Sequence, residues 1–359
     1  MVGVTFDFEP DPNWERLATV LRNEGELDRV PLFDLHADKP IMDAVVGREG
    51  PERWGAADLD ASARFRCEFY HKAGYDFVAA TSLFRFPRHP ASERGAGPAG
   101  ARSSATARSG EIPDRAAFET YPWPEVRDEH FRHVEATARY LPDGMKVRPR
   151  GPGGPFARVL RLMGFEGLSY ALADDPDLIE QMFDAVGSRL VELIRGYARF
   201  DAVGAVVVGD DMGFKTQTTV RPEVLRRYVF PWHRRIVDAV HAAGKFAILH
   251  SCGNVLAVMD DIIECGWDAK HSFEDVIMPV AEVKRRWGDR IAILGGFDVD
   301  KLSRFTPRQV REHTRGLIRQ CAPGGGWAVG SGNSVADYVP VENYVAMQNA
   351  AWEFGRYGA

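Results

Sequence analysis

Short apolar runs alternate with longer stretches of helical periodicity from one end of the chain to the other. The runs 30-VPLFD-34, 77-FVAAT-81, 145-MKVR-148, 205-AVVVG-209, 246-FAILH-250, 268-DAKHS-272, 291-IAILG-295 and 327-WAVG-330 are the predicted strands. Most are continuously apolar rather than alternating, as strands of a parallel sheet covered on both faces must be. Between them, Leu178, Ile179, Met182, Phe183, Val186, Leu190, Leu193, Ile194 and Tyr197 recur with helical spacing behind Asp175-Pro176. Pro222 opens a further helix at its first turn and Gly244 stops it. Thr306-Pro307-Arg308-Gln309 is a capping box, and Pro340 begins a last helix that ends at Gly355. Eight strand-then-helix units fit an α/β fold of the (β/α)8 TIM-barrel type better than a doubly wound sheet. The G-x-G-x-x-G that a dinucleotide fold places after its first strand is missing there.

The expected organisation is a single barrel domain, 1–359, with residues 1–27 as an N-terminal helical extension. The segment 87-PRHPASERGAGPAGARSSATARSGEIP-113 breaks the rhythm; its Ala, Gly, Ser, Arg and Pro residues bury little apolar surface, so it is expected as a surface loop after the second strand. A lid and a solvated insertion both suit it.

Composition narrows the function. Of 359 residues, 45% are hydrophobic and 27% charged, and the net charge of −6 gives no basic surplus for nucleic acid or an anionic membrane. No run reaches the roughly 18 apolar residues of a membrane span. The start, MVGVTFDFEPDP, has acids where a signal peptide has cations. Cys67, Cys252, Cys265 and Cys321 are too few and too scattered for a disulfide framework, which points to a reducing cytoplasm. Cys67, Cys265 and Cys321 lie in helical patterns and are expected as buried free thiols.

In such a barrel, chemistry sits at the C-terminal ends of the strands. Those ends carry Asp34 and His36; Thr81 and Ser82; Arg148 and Arg150; Asp210 and Asp211; His250 and Cys252; His271, Glu274 and Asp275; Asp298; Ser331 and Asn333. The triplet 324-GGG-326 precedes the last strand and belongs to a bottom-face turn. His250 and Cys252, two apart in extended chain, lean to one side, and imidazole with thiolate suits zinc. Gly253 permits a tight turn behind them and Asn254 a cap for the next helix. A buried histidine beside an inert cysteine is the bland alternative. Asp210 and Asp211 repel as neighbours, so one is expected to enter the mouth and the other to cap or pair elsewhere.

The stretches 209-GDDMGFKTQTTVRPEVLRRYVFPW-232, 244-GKFAILHSCGNV-255, 294-LGGFDVDKL-302, 305-FTPRQV-310, 323-PGGGWAVGSGNSV-335 and 340-PVENY-344, with DRVPLF at 28–33, resemble the uroporphyrinogen decarboxylase superfamily. That superfamily also contains cobalamin-dependent methyltransferases acting on thiols such as coenzyme M. The resemblance covers nearly the whole chain, residues 200 to 358 most fully, and implies a (β/α)8 barrel with its cleft at the C-terminal face. Its decarboxylases use no metal; they hold the substrate's acids with an arginine-rich N-terminal stretch and place an aspartate under the pyrrole nitrogens. Here 30-VPLFDLHADKPIMDAVVG-47 contains no arginine, ATSLF stands where the aspartate would be, and Ser331 in 330-GSG-332 replaces a histidine. Its methyltransferases bind zinc through H-x-C and a cysteine in G-C-G. His250 and Cys252 match the first two ligands, and the third falls on Ser331. The resemblance leaves Asp210, Asp211, Glu274, His271 or the substrate itself to complete the set.

The expected function is therefore a zinc-dependent methyltransferase moving a methyl group between a corrinoid, carried on a separate small protein, and a thiol. His250 and Cys252 would be the metal ligands; these two with Asp210 and Asp211 the catalytic set; and His36, Arg148, His271, Glu274, Ser331 and Asn333 the substrate-binding set. One alternative is a uroporphyrinogen decarboxylase-type carboxy-lyase acting on a tetrapyrrole in porphyrin biosynthesis, with Asp210 or Asp211 stabilising charge and Arg148 or Arg150 clamping acid groups. A second is a non-catalytic barrel that binds a corrinoid or tetrapyrrole. A monomer or a homodimer is expected, with no nucleic acid or membrane partner.

Overall fold

Seven parallel strands follow one another around the sheet in chain order: β1 Phe77–Thr81, β2 Lys146–Arg150, β3 Ala205–Gly209, β4 Phe246–His250, β5 Ala269–His271, β6 Ala292–Leu294 and β7 Trp327–Ala328. The computed structural model describes residues 4–51, 58–87 and 110–358. Val206, Val207, Ile248, Leu249, Ala292 and Ile293 are all 0% exposed, as apolar strands sandwiched between barrel interior and outer helices should be. The outer layer includes the expected helices. Pro176–Ala198 is capped by Asp175, whose carboxylate accepts the Leu178 amide at 3.1 Å. Pro222 starts a helix that passes through one π turn, Leu225–Val229, into Phe230–His241. Thr306 and Gln309 form the capping box of Pro307–Cys321. Cys67, Cys265 and Cys321 are free and buried. No described helix is long and apolar enough to cross a membrane.

The first predicted strand takes the eighth place in the barrel without forming a ladder. Residues 31–33 run beside β7, where the Phe33 amide donates to the Val329 carbonyl at 2.8 Å and the Val329 amide to the Pro31 carbonyl at 3.0 Å. Pro31 has no N–H to give, which suits it to an edge. Towards β1 the gap is filled by side chains. The Arg148 guanidinium lies 4.5 Å from the Phe77 ring centre and 5.1 Å from that of Phe33, and donates to the carbonyls of Asp34 (3.2 Å) and Leu35 (2.8 Å). The result is a TIM barrel closed on one side by packing.

Residues 88–109 of the expected surface loop lie outside the described residues, and at its C-terminal end Ile112 is buried. Helix Pro155–Asp174 is interrupted at Gly164, whose φ of 73° frees two carbonyls. The amides of Gly110 and Ile112 bond Met163 and Leu162 there, at 3.2 and 2.7 Å, and Ile112 is 0% exposed.

Asp34 ends the eighth segment inside the barrel. Its carboxylate accepts from Tyr75 Oη at 2.6 Å, from the Ser331 amide at 2.8 Å and from the Ser331 hydroxyl. Burial pushes its pKa up to about 6. A carboxyl whose folded-state value lies above its unfolded one stabilises the fold while it is protonated. That contribution is fully present below about pH 4 and is lost as pH rises through about 6. Denaturant titration should show stability falling over this window by on the order of 2–3 kcal/mol more in the wild type than in Asp34→Asn. Equal pH slopes in the two proteins would assign the loss to other groups.

Candidate metal and substrate site

The H-x-C pair is delivered as its spacing requires. His250 is the last residue of β4, and the chain then turns back at Gly253, with φ +78°. A Cβ at Gly253 would sit 2.3 Å from the Gly213 carbonyl, and one at Gly213 would sit 2.5 Å from the Asn254 amide nitrogen. Only glycines allow the loops after β3 and β4 to touch, and this contact brings Asp211 beside Cys252. Asn254 then accepts the Leu256 amide at 3.1 Å, starting the next helical turn.

Cys252 Sγ lies 3.3 Å from His250 Nε2, and His250 Nε2 lies 3.7 Å from Asp211 Oδ1. One donor atom from each of the three falls within 4.8 Å of the others. Zinc bonds of roughly 2.0–2.3 Å at tetrahedral angles place ligand atoms about 3.3–3.6 Å apart, close to the 3.3 and 3.7 Å contacts that His250 Nε2 makes with Cys252 and Asp211. Asp211 Oδ1 also accepts the Cys252 amide at 2.9 Å, which fixes the carboxylate against the turn. Asn333 Nδ2 donates to Cys252 Sγ at 3.2 Å.

The histidine tautomers follow from a chain of contacts. His271 Nε2 is 3.1 Å from the Ser331 carbonyl, which can only accept, so this nitrogen carries the proton. Burial drives both His250 and His271 well below the ordinary histidine pKa, so both rings are neutral. His271 Nδ1 is then an acceptor, and in the 2.8 Å contact between the two Nδ1 atoms His250 must donate. The lone pair of His250 is left on Nε2, facing Cys252 and Asp211. The thiol itself is held off ionisation: burial, followed by the charge of Asp211, pushes its pKa up to about 12. A cation at this point would reverse that, because a coordinated thiol loses its proton.

The two neighbouring aspartates separate completely. Asp210 is 0% exposed and accepts from the amides of Phe156 (3.2 Å) and Ala157 (2.6 Å) and from His233 Nε2 (2.8 Å). Trp267 Nε1 lies 3.4 Å from His233 Nδ1, which directs the imidazole proton to Asp210. Asp210 therefore ties β3 to helix Pro155–Asp174 and faces away from the cleft, contrary to its place in the expected catalytic set. Asp211 faces solvent and the His250–Cys252 pair.

Four of the six expected substrate-binding residues are displaced from the cleft. Arg148 and Arg150 share a face of β2, since alternate residues point the same way, but Arg148 sits one layer deeper and is 0% exposed. Ser331 is 0% exposed and held by Asp34. His271, also 0% exposed, supports His250 from behind. Glu274 borders a separate void of about 20 Å³ with Lys270 and Trp287. His36 and Asn333 do line the cleft. His36 is held between Asp38 at 3.3 Å and Ser334 at 3.2 Å.

That cleft opens over the strand ends with a volume of about 1390 Å³. Its floor includes Thr81, Arg150, Gly209, Asp211, His250 and Cys252. The residues that the expected set lacks are Arg85, Arg158 and Arg161 on its wall, and Lys270 behind it. Lys270 Nζ donates to the carbonyls of Ser251 (3.3 Å) and Ser272 (2.8 Å), tying the Cys252 turn to the loop after β5. A lone cation inside the predicted strand 268-DAKHS-272 was its sequence signal.

A family model described as uroporphyrinogen decarboxylase (URO-D) matches residues 130–354, more than half of the chain. A uroporphyrinogen decarboxylase of Anaeromyxobacter dehalogenans (strain 2CP-C) is 25% identical over 209 residues, 56% of this chain and 57% of that one. A methylcobamide:CoM methyltransferase, MtaA, of Methanosarcina barkeri (strain Fusaro / DSM 804) is 23% identical over 213 residues, 57% of each chain. The match thus spans little more than half the length of either relative. The solved structure of a methyltransferase from Methanosarcina mazei superposes with a TM-score of 0.67 over 94% of this chain and 98% of that one, at 16% identity, a likeness of fold.

Proposed function

The chain belongs to the uroporphyrinogen decarboxylase family, and on that footing we propose that it is a zinc-dependent methyltransferase acting on a thiol. The observation that carries this is the three-atom set: Cys252 Sγ, His250 Nε2 and Asp211 Oδ1, spaced for one ion, with the histidine lone pair already aimed at it. Asp211 supplies the third position that Ser331, buried and bonded to Asp34, does not. Zinc bound there would supply Lewis acidity that keeps an acceptor thiol as thiolate at neutral pH. The chain's own residues do the rest. His271 holds the His250 ring and its tautomer. The Cys252 amide fixes Asp211, and Asn333 offers an N–H to the sulfur that favours its charged form. Asp211, His250 and Cys252 all line the cleft, through which a thiol would reach a metal held by them. The methyl group would come from a corrinoid on a separate protein that reaches the same opening.

Metal analysis of the purified protein tests this. About one zinc per chain is expected in the wild type and well under a tenth of that in Cys252→Ser or His250→Ala. A zinc-free wild type, or zinc retained by both variants, would remove the proposal. The size of the cleft keeps a second reading, decarboxylation of a tetrapyrrole acid; loss of carboxyl groups from uroporphyrinogen, undiminished in Cys252→Ser, would favour it.

A further inference from the structure

A second group of reactive side chains borders the cleft and contains none of the three residues proposed to hold a metal. It is built where the N-terminal barrel segment leaves the sheet. The Val335 amide donates to the His36 carbonyl at 3.0 Å and the Asp38 amide to the Val335 carbonyl at 2.8 Å, a parallel bridge that pairs Ala37 with Val335. Ala37 and Val335 are buried. In extended chain, successive side chains point to opposite sides. His36, Asp38 and Ser334 are therefore turned away from that buried pair, and all three line the cleft.

Ser334 Oγ lies 3.2 Å from His36 Nδ1, and His36 Nε2 lies 3.3 Å from Asp38 Oδ1. A carboxylate can only accept, so Nε2 carries the ring proton and the Nδ1 lone pair faces the hydroxyl. Burial holds His36 below the ordinary histidine pKa, against the pull of Asp38, which keeps the ring a proton acceptor at neutral pH. Asp38 is fixed in turn. Its other oxygen accepts the Asp337 amide at 3.0 Å, and the residue occupies the N-cap of helix Lys39–Val46, where the helix dipole favours negative charge. The other acceptor within reach of the Ser334 hydroxyl, Asn333 Oδ1, is farther, at 3.4 Å. Among the described residues the backbone N–H groups of Asn333 and Ser334 have no acceptor.

A nucleophile, a base and an orienting acid in line activate a serine, and such a set is defined by geometry and roles rather than by position in the chain. We propose that Ser334, His36 and Asp38 form an acyl-transfer triad for a carboxylic ester or thioester, an activity separate from the metal-dependent one. Ser334 Oγ adds to the carbonyl carbon as its proton passes to His36 Nδ1. The bond from that carbon to the leaving oxygen or sulfur then breaks, the leaving group takes the proton from His36, and the acyl group stays on Ser334. Water, giving a proton to the same nitrogen, adds to the acyl carbon; the bond to Oγ breaks, Ser334 regains its proton and the carboxylic acid departs. The N–H of the nucleophile's own residue is the kind of donor that serves the oxyanion formed in each addition. The balance needs only the ester and water.

Reaction of the whole chain with an alkyl fluorophosphonate, located by peptide mass spectrometry, tests the triad with and without prior treatment by a metal chelator. An adduct on Ser334 is expected in both samples, together with hydrolysis of p-nitrophenyl acetate that the adduct abolishes. His36→Gln should slow both reactions about a hundredfold or more, and Asp38→Asn by a smaller factor. No adduct on Ser334 in the wild type overturns the proposal, as does an undiminished adduct rate in a His36→Gln protein of unaltered melting temperature. If His36→Gln does not fold, Asp38→Asn takes its place, and an undiminished rate there overturns it. Zinc content, measured on the same samples before chelation, scores the metal site alone, so either proposal can fail without the other.

Discussion

Alanine at position 210 is expected to cost about 3–5 kcal/mol of folding free energy, while asparagine at position 211 leaves stability within about 0.5 kcal/mol and abolishes zinc retention. The two carboxylates are adjacent in sequence and opposite in role. Asp210 satisfies two amides at the start of helix Pro155–Asp174 and the buried imidazole of His233, all in a site with no water access. Its removal strands three donors at once, and each buried, unsatisfied group costs on the order of 1–3 kcal/mol. A Cβ at Gly154 would lie only 2.3 Å from the Asp210 side chain, so the helix start is fitted around this carboxylate. Asp211 is half exposed, and its one backbone contact can be kept by an amide oxygen. Urea unfolding and zinc content of the two variants provide the check. A stable Asp210→Ala protein, or an Asp211→Asn protein that keeps its zinc, would reverse the assignment.

Phenylalanine at His271 is expected to weaken zinc binding roughly 10–100-fold, the usual scale for removing the hydrogen-bond partner of a metal-ligating histidine. His271 reaches neither the cleft nor the proposed metal position. It works by accepting the His250 Nδ1 proton while the Ser331 carbonyl holds its own. With phenylalanine the ring space stays filled against Phe33, but His250 is free to move its proton to Nε2, the atom proposed to bind metal. Competition titration against a zinc chelator measures the loss. An affinity equal to the wild type's would show that His250 is held by other means.

The same carbonyl explains why position 331 was hard to interpret from residue identities. Serine in 330-GSG-332 raised the question of a missing third ligand. In the fold its hydroxyl and amide serve Asp34, its carbonyl serves His271, and the third candidate donor, Asp211, lies in the loop after β3. Nothing in the spacing of Asp211 and Cys252, 41 residues apart, announces that contact; it exists because Gly213 and Gly253 let two loops meet.

Periodicity favoured the barrel over a doubly wound sheet and located its strand ends, and extended spacing placed His250 and Cys252 on one side. Those depend on local rules: buried parallel strands must be apolar, and residues two apart in extended chain share a side. Depth and partnership were left to the tertiary structure. Arg148 and Arg150 obey the same alternation, yet one closes the barrel wall and the other meets solvent, because a strand's pattern gives the face and not the layer. Asp210 and Asp211 differ only in which neighbour folds against them. The first predicted strand became a packed edge rather than a ladder, since Pro31 withholds a donor and Arg148 with Phe33 and Phe77 occupies the seam. Pairing across long sequence separations is settled by which surfaces fit together, and only the assembled chain contains that information.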